Sequence, residues 1–290
     1  MILTVCADKG SPGVSTVATV LSMLWPGERV LLEADPSGGD AALRLRTPQG
    51  GLLARQPTIR GLSVDARGGS LPASMLAYAQ PTSIGVPVIP TADMRSEDLA
   101  LIARQWPAVA AAAARWPGTV IADLGRLQHD SAAGAVAAAS TIVLLICRGT
   151  PEGLYHVRER AAALVSRLGQ GPHGRSPLMV AVICPARQHP ARLGELQAVL
   201  AADPGTCAVP VAGWIAQDPR GVQALHEGEL GKRLTGSELM RSARSVTETI
   251  LTRWPQAHPE APDHALVTGP TAPVAAGPPL GSSINAGGWS

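Results

Sequence analysis

Short apolar runs rich in β-branched residues fall at positions 2–6, 30–33, 84–89, 119–123, 141–147, 178–184 and 211–215. Between them lie stretches patterned for helices, at 15–24, 96–116, 151–168, 191–201 and 237–254. This alternation predicts βαβ units. The strand runs are apolar throughout rather than at every second position, which predicts strands covered on both faces and hence a parallel sheet with helices on each side. The expected fold class is therefore α/β, a mostly parallel doubly wound sheet flanked by helices. Ligands in such sheets bind at the carboxyl ends of the strands. Trp106-Pro107 interrupts the 96–116 stretch, because a proline removes a helical N–H and clashes with the preceding turn. In the last stretch Leu239, Ala243, Val246 and Ile250 share one face, as a helix packed on a core requires.

Beyond Trp254 the composition shifts to Pro, Gly, Ala and Ser with no apolar period, too little burial to offset ordering entropy. One domain over 1–254 and a disordered tail over 255–290 are expected. The 17 uncharged residues between Asp130 and Arg148 read as an Ala-rich helix near 132–139 followed by a buried strand, not as a membrane span. The N-terminus shows no charged leader with an apolar core and cleavage site, so a cytoplasmic location is expected. The formal charge of +2 demands no polyanionic partner. Cys6, Cys147, Cys184 and Cys207 are spaced for neither zinc nor disulfides. Lysine occurs only at Lys9 and Lys232, which draws the eye to a lysine inside a glycine-containing turn.

That turn, Asp8-Lys9-Gly10-Ser11-Pro12-Gly13-Val14-Ser15-Thr16, follows the first strand and leads into the first helix. A turn so placed exposes main-chain N–H groups and the positive end of the helix dipole, a cradle for phosphate. Ser15 at the helix start suits either a helix cap or a metal-ligating hydroxyl. The motif resembles the deviant Walker A sequence KGGxGK[ST] of the ParA/MinD ATPases, matching at Lys9, Gly10, Gly13, Ser15 and Thr16. It departs at Ser11 and at Val14, which stands where the family has the phosphate-binding lysine. Asp8 replaces the first glycine of the general pattern, and a carboxylate there repels phosphate unless paired or turned away.

Two further segments carry the resemblance. Val30 to Asp40, with Glu33, Asp35 and Pro36-Ser37-Gly38-Gly39, is similar to the family's VLLIDxDPxG stretch; read from the residues alone it is equally a strand ending in a turn with solvated carboxylates. Thr119 to Gly125 is similar to a Walker B strand ending in Asp123. The resemblance implies an ATP and Mg²⁺ site. Residues 9–16 would cradle the phosphates, Asp35 would orient the attacking water, and Ser15, Asp123 and, in the outer shell, Glu33 would hold the metal. Lys9 would reach the partner's phosphates across a nucleotide-sandwich homodimer, and the loop at Asp218-Pro219 would lie beside the nucleobase. Clustered cysteines for an iron–sulfur site, as in the nitrogenase iron proteins, are absent.

The implied function is a nucleotide switch that dimerises on ATP·Mg²⁺ and positions a cargo, such as a plasmid, a chromosome region, a pilus or a secretion machine. A protein activator or cargo adaptor is its implied partner, with no integral membrane segment. Arg148, Arg158 and Arg160 are candidates for the non-specific DNA surface of such proteins, or simply solvated arginines. Val14 motivates a second class of function, a pseudo-ATPase scaffold acting through protein contacts, and a third is a small-molecule kinase or amidoligase-type synthetase. His129, His156 and His226 lie in no nucleophile motif and are expected at or near the surface.

Overall fold

The computed structural model describes residues 1–10, 12–69, 74–91, 96–169 and 177–255. Ser11 and the tail expected to be disordered, except Pro255, lie outside the described residues. Seven strands form one sheet among them: β1 (Ile2–Ala7), β2 (Arg29–Glu33), β3 (Val88–Ile89), β4 (Thr119–Arg126), β5 (Ile142–Arg148), β6 (Leu178–Cys184) and β7 (Val211–Ala216). Their order is β3-β2-β4-β1-β5-β6-β7, and every pairing is parallel. The helices are α1 (Val14–Leu24), α2 (Ala41–Arg44), α3 (Ile59–Gly68), α4 (Ser96–Ala103), α5 (Trp106–Arg115), α6 (Gly134–Ala138), α7 (Pro151–Leu168), α8 (His189–Ala201), α9 (Pro219–Glu227), α10 (Lys232–Thr235) and α11 (Glu238–Arg253).

Side chains alternate across a strand, so a fully apolar strand feeds two cores. Ile2 and Cys6 of β1, with Val30 and Leu32 of β2, face one core built with α3, α5, α6, α7 and α8. Leu3, Val5 and Ala7 of β1, with Leu31 of β2, face the other, built with α1, α9, α10 and α11. Polar groups inside the two cores find partners across the sheet: the Thr4 and Ser140 hydroxyls lie 2.7 Å apart, and Trp25 Nε1 donates to Thr119 Oγ1 at 3.1 Å. Cys6, Cys147 and Cys184 are buried. Desolvation pushes the Cys6 and Cys147 thiols up to about 12, which makes them structural rather than reactive.

The expected strand at 84–89 is shortened to its last two residues. Thr82 Oγ1 donates to the Val86 carbonyl at 2.6 Å and Gly85 takes a left-handed φ of 72°, so the chain turns before it can extend. The 96–116 stretch divides at Trp106-Pro107 as the proline requires, with Pro107 in the first turn of α5. No helix among the described residues is long and apolar enough to cross a membrane.

The order of strands positions the site. From β1 the chain crosses to β2, two places away, and β4 then inserts between them. The carboxyl ends of β1, β2 and β4 therefore open side by side, and each carries one of the segments singled out above.

Candidate functional site at the carboxyl ends of β1, β2 and β4

The chain leaves β1 through Asp8, whose two polar ends are both engaged. Its carboxylate accepts from Arg160 Nε of α7 at 2.5 Å, and its carbonyl accepts from Arg126 Nε at 2.9 Å. The charge that would have repelled an anion is thus paired and drawn towards α7. Gly13 precedes the helix at φ 87°, a left-handed conformation that favours glycine, and no side chain caps the helix. The first N–H groups of α1 therefore lack a side-chain partner. Val14 opens the helix and is only 2% exposed, packed with Leu3 and Val5. Its side chain belongs to the core, and position 14 presents no cation to the loop.

Asp123 pairs in register with Val5 of β1 and Glu33 of β2, which sets the two carboxylates next to each other on the α1 side of the sheet. Ser15 lines one cavity with Asp123, whose carboxylate accepts from the Gly125 N–H at 3.0 Å. Burial pushes this carboxyl up to about 6; the Ser15 hydroxyl and the Gly125 N–H oppose that rise, while the neighbouring Glu33 and Asp35 charges add to it. Asp35 is half-buried and also raised by desolvation, against the Ser37 N–H that donates to its Oδ1 at 2.8 Å. Gly125, at φ 54°, lets the Asp35 carboxylate lie where a Cβ would stand.

Glu33 has both oxygens in use. Oε1 accepts from the Ala41 N–H at 2.7 Å, and Oε2 accepts from the Thr91 N–H at 2.8 Å and the Thr91 hydroxyl at 3.1 Å. Thr91 Oγ1 in turn accepts from the Gly39 N–H at 2.7 Å. The Glu33 carboxylate occupies the space a Cβ on Gly39 would need. Glu33 is raised by desolvation, only partly offset by these donors. It braces the turn that carries Asp35 and leads into α2.

These groups enclose a cavity of about 240 Å³, with Ser15, Thr16 and Gly13 on one wall and Glu33, Asp35 and Asp123 on another. Asp40 and Arg44 complete the rim. Arg44 is tied to Asp40 at 2.7 Å. His226 stands beside Arg44 and is held low by desolvation and by the charges of Arg44 and Arg46, so it is neutral near pH 7. Among the described residues no three His, Cys, Asp or Glu side chains converge to hold a metal ion by themselves. A divalent ion here would draw on Ser15, Asp123 and oxygens of its ligand.

Of the residues the sequence pointed to, the cavity gathers Gly13, Val14, Ser15, Thr16, Glu33, Asp35 and Asp123. Lys9 and Gly10 are exposed and line a separate cleft of about 330 Å³ with Arg148 and His156. Pro12 is buried. Asp218 and Pro219 do not line the cavity. Asp218 is the cap of α9: Oδ1 accepts from the Gly221 N–H at 3.0 Å, Oδ2 from the Leu239 N–H at 3.3 Å, and Pro219 fills the first helical position. Sequence reasoning missed Thr91, Arg44 and the Asp8–Arg160 pair. Thr91 and Arg160 lie far away along the chain, and only Arg44, four residues after Asp40, carried a local signal as an i,i+4 ion pair.

No protein-family model matches the chain, and neither does any curated protein. Solved structures do match. A ParA family ATPase from Chlorobium tepidum is 15% identical with a TM-score of 0.62, over 85% of this chain and 97% of that one. The cell division ATPase MinD of Pyrococcus furiosus is 18% identical with a TM-score of 0.62, over 87% of this chain and 98% of that one. The septum site-determining protein MinD of Pyrococcus horikoshii, complexed with Mg-ADP, is 17% identical with a TM-score of 0.61, over 86% of this chain and 95% of that one. At these identities the likeness is one of fold: the chain has the seven-stranded parallel ParA/MinD-like P-loop architecture.

Proposed function

We propose that this chain is a ParA/MinD-like nucleotide switch: it binds ATP·Mg²⁺, dimerises and positions a cargo, with weak or partner-dependent hydrolysis. The observation that carries this reading is that Ser15 and Asp123 line one cavity beneath the loop after β1. These are the hydroxyl and the carboxylate that a P-loop uses on Mg²⁺, one at the start of a helix and the other on an adjoining strand. The residues present fit a magnesium-bound phosphate. The α1 N-terminus lacks a side-chain cap, Gly13 leaves room for an anion to approach, and the misplaced charge of Asp8 is already paired.

Within this reading Ser15 and Asp123 would hold Mg²⁺, Asp35 would position the attacking water, and Glu33 would brace the turn between Asp35 and α2. Bound Mg²⁺ would offset the carboxylates around the cavity and polarise the terminal phosphate. Lys9, exposed at the mouth of a neighbouring cleft, is free to reach a partner's phosphates across a two-fold interface. A cytoplasmic setting, a protein activator or cargo adaptor and a non-specific DNA surface belong to the same proposal.

Sizing by light scattering tests it. With Mg²⁺ and ATP the chain should double in mass, and Lys9→Ala should stay monomeric while folded. A wild-type chain that remains monomeric in saturating ATP·Mg²⁺ removes the switch. A second reading, a pseudo-ATPase scaffold without hydrolysis, is favoured by the burial of Val14 in the core. A cation at the transferring phosphoryl group contributes on the order of 10³–10⁵ in rate. Binding and dimerisation without phosphate release, even with the adaptor present, would select the scaffold.

A further inference from the structure

The cavity under the phosphate loop carries the carboxylates of Glu33, Asp35, Asp40 and Asp123, and the residue that would bring an ammonium group into it is a buried valine. A triphosphate entering there meets acidic walls and needs a cation from the protein as well as from Mg²⁺. Among the described residues, one Lys or Arg lines that cavity, and it is Arg44. It also lines the smaller space beneath, beside Ser15, Thr16 and His226.

Arg44 ends α2, a single helical turn that starts where the Ala41 N–H is fastened to Glu33. The backbone carrying it is therefore pinned to the same carboxylate that walls the cavity, while its side chain is 46% exposed and free to change partner. At present its Nη2 donates to Asp40 Oδ2 at 2.7 Å. Such an exposed pair contributes little to stability and is easily exchanged. A phosphate oxygen is the better acceptor for a guanidinium, which can offer it two parallel N–H groups.

From this juxtaposition, and resting on the nucleotide-switch reading above, we propose that Arg44 supplies the phosphate-binding cation that position 14 lacks. It would leave Asp40 and close over the outer phosphates of ATP from the α2 side. The chain would thus have moved its phosphate cation from the start of α1 to the turn after β2, on the opposite wall of the same cavity.

The test is calorimetric titration of the full chain with ATP and with AMP, each in Mg²⁺, for wild type, Arg44→Ala, Arg44→Lys and Arg44→Ala with Val14→Lys. Losing one charge-assisted contact should weaken ATP binding about ten- to hundredfold. AMP, which lacks the outer phosphates, should change less than twofold. Arg44→Lys should fall between, and a lysine at position 14 should restore part of the loss. Melting of ligand-free Arg44→Ala should match wild type; should it not fold, Arg44→Gln carries the comparison. Arg44→Ala binding ATP within twofold of wild type, or losing AMP and ATP alike, overturns the assignment while leaving the switch intact. Wild type that binds no ATP overturns both.

Discussion

Glu33→Ala lowers the melting temperature of the ligand-free chain by about 6–12 °C, the equivalent of about 3 kcal/mol in a domain of this size. The loss does not come from an attractive charge, since burial disfavours the Glu33 carboxylate in its ionised form. It comes from the donors left behind. The N–H groups of Ala41 and Thr91 and the Thr91 hydroxyl all point at this one side chain from inside the fold. An orphaned buried donor costs about 1–3 kcal/mol, which is why removing one partner of a buried network costs more than the network contributes as a whole. Glu33→Gln keeps one acceptor oxygen and sheds the buried charge, so it should lose less. Because Thr91 also holds Gly39, the alanine variant should loosen the turn that carries Asp35 and weaken nucleotide binding with it. Thermal melts of the two variants check this, and an alanine variant as stable as wild type would mean that the carboxylate braces nothing.

Asp123→Asn should act in the opposite direction on stability. The Asp123 carboxyl is raised from 3.8 to about 6, and desolvation is the chief cause. Above pH 6 the folded chain carries this carboxylate ionised at a cost. As pH falls through about 6 the folded state takes up a proton before the unfolded chain does, and the cost is relieved in full only below 3.8. Asparagine has no such cost and keeps an oxygen for the Gly125 N–H. The variant should therefore be more stable than wild type at pH 7.5, by up to about 3 kcal/mol, and the gain should fade towards pH 4. At pH 7.5 it should also lose Mg²⁺-dependent nucleotide binding. This pairing of a more stable apo protein with a crippled site marks a group kept ionised for its ligand. A variant destabilised at pH 7.5, or equally stabilised at pH 4 and 7.5, would contradict the assignment.

Much of the architecture was legible along the chain because strands buried on both faces must be apolar at every position. Ile2–Ala7 and Ile142–Arg148 could hardly be read otherwise. The turn into α1 announced itself through Gly10 and Gly13, and the break at Trp106-Pro107 through the proline. Asp218-Pro219 carried a helix-start signal, an acidic cap followed by proline, beside its resemblance to an adenine-side loop. What the sequence could not convey was which distant groups meet. Asp8 is read locally as a defect in a phosphate loop, and only the fold brings Arg160 against it from the middle of α7. Glu33 reads locally as a solvated carboxylate at the end of a strand, until Thr91, 58 positions away, is seen to close on it. Residues 84–87 were apolar enough for a strand, but the Thr82 hydroxyl bonded the Val86 carbonyl and turned the chain. In each case a side-chain hydrogen bond, invisible to periodicity, decided the outcome.

On this reading the cavity between α1 and the ends of β2 and β4 takes ATP through Mg²⁺ despite Val14. Titration of the purified chain with ATP, in Mg²⁺ and again in excess chelator, decides the matter. Saturable binding that depends on Mg²⁺ and is lost in Ser15→Ala is the result expected. Heat changes no larger than dilution up to millimolar ATP, or binding indifferent to both Mg²⁺ and Ser15, would contradict it.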